Sequence, residues 1–286
     1  MKFNVLASLA MLATSACGQR DGAEPIVAAR PVAQDSSALL AAAIGGAHRP
    51  DEDRDRDRWR HPKETLEFFG VEPGMTVIEA WPGGGWYTRI LAPYLKSGGG
   101  VYIAAQVDPL ASERAAAAVQ KFRNDFSDDK TYGDIRITTL GAGEIAPPGS
   151  VDVVLTFRNV HNWLSNGAAD ANFKAFYEAL KPGGVLGVVE HRATEEQDDG
   201  SGSTGYVKVS TVTALAEAAG FEFVESSEIN ANPADTKDHP FGVWTLPPVR
   251  RSAAAAGQEN PGFDRSQYDA IGESDRMTLK FIKPKQ

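Results

Sequence analysis

The stretch Val77 to Thr88, V-I-E-A-W-P-G-G-G-W-Y-T, constrains this chain more than any other. Val77, Ile78 and Glu79 read as the end of a buried strand, Gly83, Gly84 and Gly85 as a turn free of Cβ atoms, and Trp86 onward as a helix. Glycines let a backbone approach a ligand closely, a helix N-terminus offers unpaired N–H groups, and a carboxylate at a strand end accepts ribose or ammonium donors. The same residues also suit a plain tight turn, so the stretch alone leaves both readings open.

The spacing of apolar runs along the rest of the chain narrows the choice. Met75–Ala80, Val101–Ala105, Ile135–Leu140, Val151–Phe157 and Val185–Glu190 are short apolar runs separated by segments of helical spacing, the pattern of a parallel sheet with crossover helices. Pro109–Phe126, Asn172–Leu180 and Thr211–Ala219 supply such helices. Phe221–Val224 is the expected sixth strand and Met277–Ile282 the seventh. Between them Asn230–Asp275 is too long for a hairpin loop, and a connection of that length serves as a lid or a binding loop or stays disordered.

Three motifs carry a resemblance to class I S-adenosylmethionine-dependent methyltransferases over roughly Trp59 to Lys283: the glycine turn after Glu79, Asp152-Val153-Val154 opening the fourth run, and Leu180-Lys181-Pro182-Gly183-Gly184 before the fifth. More closely, the chain resembles a group of exported bacterial proteins labelled predicted methyltransferases, sharing H-R-P, F-F-G-V-x-P-G-M, P-G-G-G-W-Y-T, T-F-R-N-V-H-N-W and G-V-W-T-L-P-P. The resemblance implies an α/β fold, a Rossmann-like seven-stranded, mostly parallel sheet with helices on both faces and an antiparallel last strand inserted between strands five and six. It also implies S-adenosyl-L-methionine as cofactor and a small-molecule methyl acceptor.

Carried over residue by residue, the resemblance makes Glu79, Gly83 and Gly85 the cofactor cradle, with Gln106 and Asp108 at the ribose, Glu144 near the adenine, and Asn159 beside the cofactor. Trp81 stands where the family pattern has its first glycine, and Gln106 where it has an acid, so ribose recognition loses its charge-assisted hydrogen bonds. The segment Arg158-Asn159-Val160-His161-Asn162-Trp163 follows strand four and Glu190-His191-Arg192 ends strand five. Carboxyl ends of parallel strands face the ligand crevice, so Arg158, His161 and His191 are the candidate catalytic residues. His161 is the natural general base, because an imidazole titrates near working pH and methyl transfer to a hydroxyl, amine or thiol must release a proton. Asp235, Asp238 and His239 lack the spacing of a metal site, and no metal is expected. They are expected to fasten their loop or to touch the acceptor.

Acidic residues outnumber basic ones 38 to 29, a formal net charge of −9, and no basic stretch offers a surface for nucleic acid. Met1 to Ala16 has Lys2, an apolar run from Val5 to Ala13 and small residues before Cys17, the order of a secretory signal too short to span a membrane. Cys17 is the single cysteine, so an intramolecular disulfide is excluded. It stands where a lipoprotein signal places its acylated residue, so the expected location is periplasmic or membrane-anchored through lipidated Cys17. The expected organisation is a signal over residues 1–17, a flexible linker with one short helix over 18–48, and one domain over 49–286 with an insertion near 230–275. Within it, Asp51–Arg60 alternates acids and bases as a helix with Glu52 facing Arg56 and Asp55 facing Arg58, either solvated or lying over the cofactor mouth. Two functions stay open: a methyltransferase, or an exported binding protein that keeps the fold without catalysis.

Overall fold

The computed structural model describes residues 36–141, 143–196 and 201–285. The expected signal over 1–17 and most of the expected linker lie outside the described residues. Asp35 to Gln286 forms one compact unit.

Eight strands are formed among the described residues: β1 Thr76–Ala80, β2 Val101–Gln106, β3 Arg136–Thr139, β4 Val151–Phe157, β5 Leu180–His191, β6 Glu222–Ser227, β7 Pro240–Val243 and β8 Arg276–Ile282. All but β7 make one sheet in the order β3-β2-β1-β4-β5-β8-β6. The pairs among β1 to β5 are parallel, and β8 runs antiparallel to both β5 and β6. This is the expected Rossmann-like sheet. Its central strands are mostly apolar because both faces are covered. In β1, Val77 joins one core with Leu66, Ile90 and Phe122, while Ile78 and Ala80 join the other with Phe173, Phe176 and Val212, the alternation that a pleated strand imposes. Asp152 locks the centre, accepting from the Thr76 N–H at 2.9 Å and from Lys181 Nζ at 2.5 Å.

Element ends differ from the expected ones where capping intervenes. The helix after β2 begins at Glu113 rather than Pro109, since Ser112 Oγ accepts from the Ala115 N–H at 3.1 Å, an N-cap that sets the start. Strand six begins after Phe221 and runs to Ser227 along the sheet edge. Phe221 is drawn into the core, because left-handed Gly220 ends the preceding helix and the Phe221 N–H returns to Ala216 O at 3.0 Å, with the apolar contact that accompanies such a cap.

The N-terminal side departs further. Ser36–Ile44 is a helix with Leu40 and Ala43 buried, in the same core as Ile90 and Leu91, so the domain begins before the expected residue 49. Asp51–Arg60 is two short helices, Asp51–Arg54 and Asp57–Arg60, and neither expected ion pair forms. Asp57 pairs with Arg49 at 2.7 Å, while Arg56 and Arg60 both reach Glu273, at 2.7 and 2.9 Å. Arg56 and Arg60 thus tie the start of the domain to the far end of the long insertion, while Asp51, Glu52, Asp55 and Arg58 stay exposed.

Candidate active site

The chain leaves β1 through Trp81, held in the left-handed region at φ 50°, and then through Gly83 at 59° and Gly85 at 79°. A Cβ at Gly83 or Gly84 would meet nothing within 4 Å, so this side of the turn is open. A Cβ at Gly85 would overlap the Phe126 ring. Gly85 therefore serves the seating of the neighbouring helix rather than space for a ligand. Beneath the turn Glu79 is buried, and its Oε2 accepts from Tyr102 Oη at 2.5 Å and Thr88 Oγ1 at 3.1 Å. Burial pushes its pKa up to about 7 against the pull of these two hydrogen bonds.

At the end of β2, Gln106 is buried and its Nε2 has no hydrogen-bond partner among the described residues. Asp108 Oδ1 accepts from the Leu110 N–H at 2.8 Å. Beyond these residues lies a cavity of about 510 Å³ walled by Trp81, Asp108, Arg114, Leu140, Asn166 and Asn172. Trp81 stands edge-on to Trp163, with centroids 5.7 Å apart, and its Nε1 is also buried without a partner among the described residues. Of the expected cofactor residues, Asp108 reaches this wall and Gln106 lies just behind it. Glu144 is exposed and outside the wall, because the chain after β3 turns it to solvent while Ile145 enters the core. Asn159 does not face the cavity either. Its Nδ2 donates to Ala80 O at 2.9 Å and Trp81 O at 3.3 Å, so it braces the end of β1.

The ends of β4 and β5 meet at a buried carboxylate. Glu190 Oε2 accepts from the Val160 and His161 N–H groups at 2.6 and 3.3 Å, while Oε1 accepts from the His191 N–H at 2.8 Å and faces His161 Nδ1 at 3.0 Å. His161 Nε2 has no hydrogen-bond partner among the described residues. His161, His191 and Arg158 border a second cavity of about 230 Å³ with Trp244, Leu246 and Glu273. His191 Nδ1 lies 2.5 Å from Ser274 Oγ. Burial, with the positive charges of its neighbours, holds the His191 pKa well below the usual range, so its ring is neutral at pH 7. Arg158 sits at φ 62°, and its N–H donates to Val189 O at 2.7 Å. A third space of about 620 Å³ shares Arg114 with the first cavity and Asn162, Trp244 and Val249 with the second. Together they form one crevice over the carboxyl ends of the strands, where ligands of open α/β sheets bind.

Among the described residues, His161, Glu190 and His191 form the one group with ligand atoms within 4.8 Å of one another. A cation there would have to displace donors already on both Glu190 oxygens, so the geometry reads as a carboxylate that orients His161. Asp235 fastens its loop, accepting from Tyr206 Oη at 3.0 Å and the Asp275 N–H at 2.8 Å and facing His239 Nε2 at 2.8 Å. Sequence reasoning placed Glu190 on the rim but gave it no role, although an acid closing an apolar strand was the available signal. Glu273 and Trp244 reach the site from the long insertion, whose fold no local pattern encodes.

No protein-family model matches the chain, and no curated protein does. Solved structures do share its fold. The [4+2]-cyclase SpnF superposes with a TM-score of 0.52 at 17% identity, over 88% of this chain and 94% of that one. A protein of Galdieria sulphuraria assigned as a sarcosine dimethylglycine methyltransferase gives 0.52 at 15%, over 82% of this chain and 87% of that one. One fold thus carries a cyclase and a protein assigned as a methyltransferase, and the chemistry of this chain must be argued from its own site.

Proposed function

We propose that this chain is an S-adenosylmethionine-dependent methyltransferase acting on a small molecule. The observation that carries the reading is the division of the crevice, with a nucleoside-sized cavity at the ends of β1 to β3 and an oriented histidine at the ends of β4 and β5. The first cavity suits the cofactor. Gly83 and Gly84 leave the turn open, and the orphaned Gln106 Nε2 and Trp81 Nε1 are buried donors that a ligand rich in acceptors would satisfy. Trp81 narrows the wall but holds the left-handed region that glycine favours. When bound, the cofactor supplies a methyl group already activated on a sulfonium.

The chain's own residues then have separate tasks. Asp108 and Gln106 hold the ribose side. Glu190 fixes the His161 ring through Nδ1, so that Nε2 accepts the proton released by the acceptor, and the same carboxylate stabilises the imidazolium that results. Trp81 at the first cavity and Trp244 at the second exclude water from the reacting groups. Export through the 1–17 segment belongs to the same proposal, and a mature N-terminus at or near Cys17 in the mass spectrum supports it, whereas an intact Met1 in the cytoplasmic fraction refutes it.

Calorimetry with S-adenosylmethionine and S-adenosylhomocysteine tests the reading. Both ligands are expected to bind. If the folded protein shows neither heat nor a thermal shift with millimolar cofactor, the methyltransferase reading fails and an exported binding protein takes its place.

A further inference from the structure

Arg158 is the residue that the proton chemistry leaves over. Its side chain is half-buried at the second cavity and makes no hydrogen bond or ion pair among the described residues. The carboxylates near it are already engaged. Glu273 receives Arg56 Nε at 2.7 Å, Arg60 Nε at 2.9 Å and Arg276 Nη1 at 3.0 Å, so three guanidinium groups share one acid. Glu190 carries its four donors. This end of the crevice therefore has an excess of positive charge, four guanidinium groups against the Glu273 and Glu190 carboxylates.

A cation withdrawn from water is costly unless an anion pairs with it. Arg158 is also held with a left-handed backbone at φ 62°, a conformation that non-glycine residues occupy rarely and that concentrates at ligand sites. The rest of the cavity wall is different in kind: Val243, Trp244, Leu246, Pro247, Pro248 and Val249 present apolar surface. The two chemistries face one small space that also holds His161.

We infer that Arg158 is the recognition residue for a carboxylate on the acceptor, and that the acceptor is a compact aromatic or aliphatic acid whose apolar body lies against Trp244 and Leu246. The planar guanidinium fork matches two carboxylate oxygens. With the acid group anchored there, a hydroxyl or amine elsewhere on the same molecule comes within reach of His161 Nε2. The acceptor role rests on the methyltransferase reading, whereas the anion site stands without it.

The test uses the full chain and benzoate as probe, with neutral benzamide as its isostere and phenyl phosphate as the competing oxyanion, each titrated calorimetrically with and without S-adenosylhomocysteine. Benzoate is expected to bind at least tenfold more tightly than benzamide, and Arg158→Gln to remove that preference, with its urea midpoint as the control for folding. If Arg158→Gln does not fold, Arg158→Lys replaces it and is expected to lose at least threefold, because an ammonium cannot form the fork. Equal binding of benzoate and benzamide, no binding of benzoate, an undiminished preference in the variant, or phenyl phosphate binding tenfold more tightly than benzoate would each overturn the assignment. Benzoate binding by a protein that gives neither heat nor a thermal shift with millimolar S-adenosylmethionine or S-adenosylhomocysteine would keep the anion site and remove the methyltransferase reading.

Discussion

A carboxylate sealed beneath a glycine turn makes stability depend on pH. Glu79 holds its proton up to about pH 7 in the folded chain, against an ordinary value of 4.5. Below the lower value both states are protonated and Glu79 contributes no difference. Between the two values only the folded state keeps the proton, so stability falls as pH rises, and above about pH 7 the full penalty of about 3 kcal/mol applies. Glu79→Gln keeps an acceptor for Tyr102 and Thr88 but cannot ionise. Urea unfolding across about pH 5 to 8 should show a downward slope for the wild type and a flatter one for the variant. A parallel pair of slopes would remove Glu79 as their cause. The identities of Glu79, His161, His191 and Arg158 were legible as candidates because each follows or closes an apolar strand. The partners that define them were not, since Tyr102, Thr88 and Ser274 are ordinary residues brought in by tertiary contact.

Within the turn, two glycines of similar backbone have different reasons for being glycine. Gly83 faces open space and Gly85 faces Phe126. Gly83→Ala should cost only the left-handed backbone, about 1 kcal/mol, whereas Gly85→Val adds overlap with a packed ring and should cost about 3 kcal/mol or more. Chemical denaturation of the two variants checks the difference, and equal losses would mean that Phe126 yields freely. The strands were largely visible in the sequence because a buried parallel sheet writes itself as apolar runs. Helix starts were less visible. The helix end at Ala219 before Gly220 was legible, but the Ser112 cap was decided by a single hydrogen bond, and Arg56 and Arg60 found their partner more than 200 residues away at Glu273, which no helical wheel can show.

At the scale of the whole domain, the Ser36–Ile44 helix and the long insertion complete what the sheet begins. The helix seals one face through Leu40 and Ala43, and the insertion supplies Trp244, Leu246 and Glu273 to the crevice. Burying those two helix side chains is worth about 3 kcal/mol, so a chain of residues 49–286 should be less stable than one of 35–286 by that order in urea unfolding. Identical midpoints would show the helix to be dispensable. Everything proposed for the chemistry rests on a divided crevice, with the nucleoside end at Trp81, Asp108 and Leu140 and the acceptor end at Arg158, His161 and His191. A crystal structure with S-adenosylhomocysteine puts that division to the test: the nucleoside is expected in the first cavity, with the Gln106 amide paired to it and the sulfur directed toward His161. Nucleoside density against Arg158 and Trp244, or lying outside the crevice, would contradict it.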